Sequence, residues 1–295
     1  MATDTSDESA TEEPGSGPTA RRMVLGTQLR RLRETADISR ADAGYSIRAS
    51  GSKISRMELG RVSFKERDVA DLLTLYGVAD CAARQNFLEL VAQSNQPGWW
   101  YHYTDLMPEW FQDYVGLEES ASLIQTHELQ FVPGLLQTED YARAITSHGR
   151  PELADDAVER RVALRMRRQL LLAGPKAPRL WVALDESVLH RPIGGRRVMI
   201  DQLESLLEVT KLPHVAVQIV PYRLSGYAAE GVFSLLRFAE PELPNLVYIE
   251  HLSGALYLDK PKEIELYSRV FDQLAVDAHT PEQTRQLLYK ARAEL

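Results

Sequence analysis

The chain has 295 residues, a formal net charge of -8 and one cysteine, with 44% hydrophobic and 26% charged residues. The lone Cys81 excludes an internal disulfide and a multi-cysteine zinc site, and no run of about 18 apolar residues is present to span a bilayer. The acidic total excludes a uniformly basic nucleic-acid coat, but residues 21–67 carry twelve Lys or Arg against five acids, while the residues after 67 carry twenty-two against thirty-two.

Residues 1–20 hold five acids, no Lys or Arg and little apolar content, so they are read as a disordered acidic tail. They lack a basic start and an apolar export segment, and a cytoplasmic, nucleoid-associated protein is expected. A first helix places Leu25, Leu29 and Leu32 on one face with Arg30, Arg31 and Arg33 pointing away. Ser39 starts a second, with Asp42 three residues on as the acid of a capping box. A third begins at Ser50, and its Ile54 and Met57 face inward, leaving Ser52, Lys53, Ser55 and Arg56 outward. Gly60 stops it, and a fourth carries Val69, Leu72, Leu73 and Tyr76 before Gly77.

This order of helices, with the segment Lys53-Ile54-Ser55-Arg56-Met57-Glu58-Leu59-Gly60-Arg61, resembles the Xre (phage-repressor-like) helix-turn-helix family across roughly Leu25 to Val91. The resemblance implies that the third helix enters the major groove. By position it implies base contacts from Gly51, Ser52 and Arg56, with Ser50, Lys53, Ser55 and Arg61 beside them, and a phosphate contact from Arg40. Arg56 has the two-pronged geometry that matches guanine O6 and N7. The family's structural ion pair falls on Arg33 and Glu58. Gly44 stands where the family usually has alanine, and Arg48 where it has a left-handed glycine. The helix-turn-helix domain is expected over residues 21–94.

Ser94 to Gly98 interrupts helical periodicity and is read as the domain join. The aromatics Trp99, Trp100, Tyr101, His102 and Tyr103 follow it, and packing is preferred there to base stacking. Cys81 is likewise read as ordinary packing. Residues 98–295 are expected to form an α+β domain: amphipathic helices over Trp110 to Thr126, from Gln137, and over Asp155 to Leu172, then strands at Leu180–Leu184, Val215–Val220, Val232–Phe238 and Leu246–Ile249. A helix from Arg196 to Val209 and two final helices, Glu263 to Ala275 and Pro281 to Ala293, complete it. Gly194-Gly195 and Ser225-Gly226 mark turns. On a helical wheel Arg160, Arg161, Arg165, Arg167 and Arg168 form one exposed band, a partner-binding face with Arg161, Arg165 and Arg168 as its candidates or an ordinary solvated one.

Trp99-Trp100, Gly116-Leu117-Glu118, Val132-Pro133-Gly134-Leu135-Leu136-Gln137-Thr138, Arg167-Arg168-Gln169 and Asp185-Glu186 resemble words of the actinomycete WhiJ-like regulators, which join an uncharacterised C-terminal domain to an Xre domain. That likeness implies a unit that binds a ligand or a small companion protein, antitoxin-like in some members. No catalytic, metal or cofactor motif is complete. His127-Glu128 begins a zinc-protease word, but Phe131 occupies the second histidine position, and neither a nucleophile elbow nor a phosphate loop occurs. Asp185-Glu186 fits a helix cap as well as a reactive pair. A retained enzymatic site would show itself as a pocket holding carboxylates of raised pKa. The expected function is therefore a homodimeric, sequence-specific regulator on pseudo-palindromic double-stranded DNA. The alternative is an interaction module that has left DNA, which would expose apolar anchors in place of Arg40, Ser52, Lys53, Arg56 and Arg61.

Overall fold

A computed structural model describes residues 17–223 and 231–295, which fall into two compact units divided between Gln96 and Pro97. Most of the acidic tail and the Ser225-Gly226 turn lie outside the described residues.

The first unit is all helical: α1 (Pro18–Thr35), α2 (Arg40–Ser46), α3 (Gly51–Glu58), α4 (Glu66–Leu75) and α5 (Cys81–Ser94). Leu25, Leu29, Ile54, Met57, Val69, Leu72 and Val91 build one core between them. Residues 18–20, assigned to the tail, instead form the first turn of α1, where Pro18 pre-sets the helical φ and needs no donor. The fifth helix is an addition to the four read from sequence. Its cap is Asp80, whose carboxylate accepts from the Ala83 amide, and this leaves Cys81 exposed at the first helical position rather than packed. Arg33 is a second correction, because it lies buried instead of pointing away.

The second unit opens with a 3-10 segment, Trp99–Leu106, in which Trp100 is buried against Met107, Val115 and Leu164. Then come α6 (Glu109–Ser120), β1 (Leu123–Glu128), α7 (Glu139–Gly149), α8 (Asp155–Gln169), β2 (Arg179–Asp185), α9 (Arg196–Val209), β3 (Val215–Val220), β4 (Phe233–Arg237), β5 (Leu246–His251), β6 (Gly254–Leu258), α10 (Pro261–Asp277) and α11 (Pro281–Glu294). The strands form a mixed six-stranded sheet in the order β3-β2-β1-β4-β5-β6, parallel from β3 to β1 and antiparallel from β1 to β6. The fold is thus a helix-turn-helix unit followed by an α+β unit.

Two strands escaped the sequence reading. The helix expected to run to Thr126 stops at Ser120, and Leu123–Glu128 becomes the central strand, with Ile124 opposite Leu180 on one side and Leu236 on the other. Its polar residues hide the pattern, and each buried one makes a hydrogen bond: Arg237 Nε donates to Gln125 Oε1 at 2.9 Å, Thr126 Oγ1 and Ser234 Oγ bond at 2.9 Å, and His127 Nδ1 meets the Ala183 carbonyl at 3.1 Å, while His127 Nε2 is buried with no partner among the described residues. The other omission, β6, is a half-exposed edge strand with weak patterning. One sheet face packs Ala183, Phe233, Leu235 and Val247 against Phe271 and Leu274 of α10. The opposite face carries Ile124, Thr126, Glu128, Ser234, Tyr248 and Glu250, and it is the floor of a cavity.

Candidate nucleic-acid interface and an internal cavity

The reading helix α3 starts where the Ser50 hydroxyl accepts from the Lys53 amide at 3.3 Å. It ends at Gly60, φ +65°, where the Arg61 amide bonds the Arg56 carbonyl and the Gly60 amide the Met57 carbonyl, each at 2.9 Å. Ile54 and Met57 are 1% and 2% exposed, so the helix is anchored along one side. Gly26 of α1 lets it come close: a β-carbon there would lie 2.4 Å from the Met57 carbonyl oxygen. The turn before α3 keeps the left-handed residue that the motif requires, with Arg48 at φ +57° in place of glycine. At Gly44, where the family has alanine, an added β-carbon would lie 2.8 Å from the Ala49 carbonyl oxygen, so glycine is the residue this backbone accepts without adjustment.

The predicted contact residues divide into three groups. Ser52, Arg56 and Arg61 are exposed, and their side chains make no hydrogen bond or ion pair among the described residues, as groove- and phosphate-facing groups require. Arg40 is partly committed: its Nε donates to Glu58 Oε2 at 2.8 Å, while its outer nitrogens stay unengaged on a side chain 44% exposed. Lys53 is a correction, because its ammonium sits 2.6 Å from Asp68 Oδ2 and ties α3 to α4 instead of standing free. Ser50 is spent as the cap, and Gly51 and Ser55 are half-buried. The Arg33–Glu58 pair forms as the resemblance implies, Nε and Nη2 reaching the two carboxylate oxygens at 2.5 and 3.3 Å. Arg33 is held above its ordinary pKa by the Glu58 hydrogen bond, against the pull of burial. Glu58 therefore fastens α1, α2 and α3 with two guanidinium groups. The sequence reading passed over Tyr45, 87% exposed at the end of α2, although a large exposed ring one turn before the reading helix is a visible signal.

In the second unit the expected arginine band does not exist as a surface. Arg168 is buried and grips Glu118 with two parallel hydrogen bonds, Nε to Oε2 at 2.9 Å and Nη2 to Oε1 at 2.8 Å. Burial pushes its pKa down, but Glu118 overcomes this and leaves it raised. Arg165 donates to Gln137 Oε1 at 2.6 Å, and burial lowers its pKa to about 10. Arg161 is half-buried. Only Arg160 and Arg167 remain exposed, Arg160 paired with Asp105 and Arg167 over the Trp99 ring. A wheel cannot tell outward from inward when a carboxylate waits on the inner side.

Around these arginines lies a cavity of about 650 Å³, lined among others by Trp110, Phe111, Tyr114, Glu118, Glu128, Gln137, Arg165, Arg168, Tyr248 and Glu250. Several of the quoted sequence words meet here. Gln169 donates to the carbonyls of Gly134 and Gln137, Gln137 to that of Val132 and Gln202 to that of Leu136, while the Gln202 carbonyl accepts from the Thr138 amide. That lattice rigidifies the Val132–Thr138 turn beside the cavity. Tyr114 and Tyr248 stack with centroids 4.0 Å apart. Glu128 accepts no hydrogen bond and makes no ion pair among the described residues, and burial with neighbouring Glu250 raises its pKa to about 8. The raised carboxylate expected of a retained enzymatic site is therefore present. The other flagged pair is structural: Asp185 caps the turn after β2 by accepting from the Ser187 amide, and Glu186 accepts from the Tyr222 amide.

Among the described residues no His, Cys, Asp and Glu cluster suits a metal, and no helix is long and apolar enough to cross a membrane. Residues 111–290 match the family described as domain of unknown function (DUF5753), and residues 24–85 that described as helix-turn-helix domain. No curated protein and no solved structure matches the chain.

Proposed function

The chain belongs to the DUF5753 family, and from that premise we propose that it is a sequence-specific transcriptional regulator of the Xre, WhiJ-like type, binding operator DNA through α3 as a homodimer. The observation that carries the reading is the free state of Ser52, Arg56 and Arg61 on a helix otherwise anchored on its inner side. One such unit gives few base contacts, and two-fold binding to half-sites of a pseudo-palindrome, about one helical turn apart, multiplies them. The second unit is read as the sensor, which takes a small ligand or a small companion protein and shifts operator affinity. Arg56→Ala is expected to cost about 1–3 kcal/mol and relax preference at one base position. Arg40→Ala should weaken every sequence alike and flatten the salt dependence. Mobility-shift titrations on selected and random duplexes at two salt concentrations separate the two; equal losses on both DNAs from both variants would refute groove reading.

A docking module that has left DNA would present apolar anchors on this helix, and its exposed residues are polar. Catalysis in the second unit has one observation in its favour, the raised Glu128. Among the described residues no serine, cysteine or histidine shares a hydrogen bond with it, which favours recognition over turnover.

A further inference from the structure

The cavity's charges are unevenly satisfied. Arg168 is closed onto Glu118, and Arg165 already donates to Gln137. Tyr248 donates to Glu250 Oε2 at 2.9 Å, and the Glu128 side chain has no partner among the described residues. The lining holds Glu118, Glu128 and Glu250 against Arg150, Arg165 and Arg168, and of these Arg150 and Glu250, with His251, lie at exposed positions. Arg165 and Arg168 thus have partners within the protein, whereas Glu128 has none among the described residues. Glu128 and Glu250 rise from the same sheet face on β1 and β5, two strands apart, or roughly 10 Å between backbones. The lining beside them includes Trp110, Phe111, Tyr114 and Tyr248. The volume lies within the range of small-molecule sites.

We propose that this cavity binds a small organic monocation, a protonated amine on an apolar or aromatic body, with the ammonium between Glu128 and Glu250 and the body against the aromatic wall. The inference rests on the reading of the second unit as a sensor and names the chemistry it senses. An aromatic lining favours such a cation by its ring quadrupoles as well as by apolar contact. In the empty cavity Glu128 holds a proton at neutral pH, and the amine replaces it. Binding therefore releases a proton.

The test is calorimetric titration of the full chain, without DNA, with 2-phenylethylamine, tryptamine and 4-phenylbutylamine, against 2-phenylethanol and phenylacetate. At least one amine is expected to bind tenfold or more tightly than the alcohol and the acid. Its apparent enthalpy at pH 7 should vary with the buffer's ionisation enthalpy. Glu128→Gln, with an unchanged fold by circular dichroism, should lose tenfold or more in affinity and abolish the proton release. Equal binding of amine and alcohol, preference for phenylacetate, no binding by any amine, or an unaffected Glu128→Gln would overturn the proposal while leaving operator binding by α3 untouched. Amine binding that leaves operator affinity unchanged would uphold the site and refute only its regulatory coupling.

Discussion

Arg48 holds the left-handed region at φ +57° in the turn between α2 and α3, a conformation that costs a side-chain-bearing residue on the order of 1–2 kcal/mol. Glycine removes that strain but gains freedom in the unfolded chain, so Arg48→Gly is expected to stabilise the first unit by about 1 kcal/mol at most, read as a higher denaturation midpoint. Glu128 carries the opposite kind of penalty. Its pKa is raised from the ordinary 4.5 to about 8, so its contribution to stability is fully present below pH 4.5 and is lost as pH climbs from there to 8. Thermal midpoints of the second unit taken from pH 5 to 9 should flatten in Glu128→Gln, and an unchanged slope would place the titration elsewhere. Neither effect is visible in residue type alone. Arg48 was legible as a departure from a glycine position, whereas Glu128 was read only as half of a failed zinc word, because its burial comes from neighbours far along the chain.

At the scale of elements, α8 shows how a tertiary partner overrides a wheel. Val158 and Val162 are buried on one side as periodicity demands, but Leu164 and Arg168 are buried on another, Arg168 because Glu118 of α6 neutralises it and the rings of Phe111 and Tyr114 lie 5.1 and 5.7 Å from its guanidinium carbon. Arg168→Met is expected to destabilise the second unit by about 3–5 kcal/mol, since it strands a buried carboxylate. Adding Glu118→Leu should recover most of that loss, and a double variant no better than the single would show that the pair holds the helices by more than charge. In α3 the same logic works for function. Asp68 draws Lys53 out of the candidate contacts, and Glu58 draws in part of Arg40, so among the described residues the wholly free cations of the candidate set narrow to Arg56 and Arg61.

At the scale of the whole chain, charge and core are partitioned alike. The basic stretch of residues 21–67 falls entirely in the unit with the helix-turn-helix, and the acidic excess of the remainder falls mainly in the unit with the sheet. Each unit has a core of its own, centred on Leu25, Ile54 and Leu72 in one and on Leu235, Val247 and Phe271 in the other. Scanning calorimetry of the full chain should therefore resolve two transitions. Arg48→Gly should move one and Glu128→Gln the other; a single transition shifted by both would mean that the two cores unfold as one.

By itself the sequence determined what rests on neighbours within a few residues: the caps at Ser39 and Ser50, the stop at Gly60, the apolar stripes of α3, α4 and α9, and the outward Ser52 and Arg56. The join near Pro97 belongs to the same class, since a proline and glycine break periodicity wherever they stand. Only the tertiary structure decided that Leu123–Glu128 is the central strand, that Arg165 and Arg168 turn inward, and that Glu128 stands above a sheet with no partner among the described residues. The reason is range: a cap or a stripe is settled within one or two helical turns, whereas the cost of burying a charge depends on whether a partner arrives from some fifty residues away, as Glu118 does for Arg168.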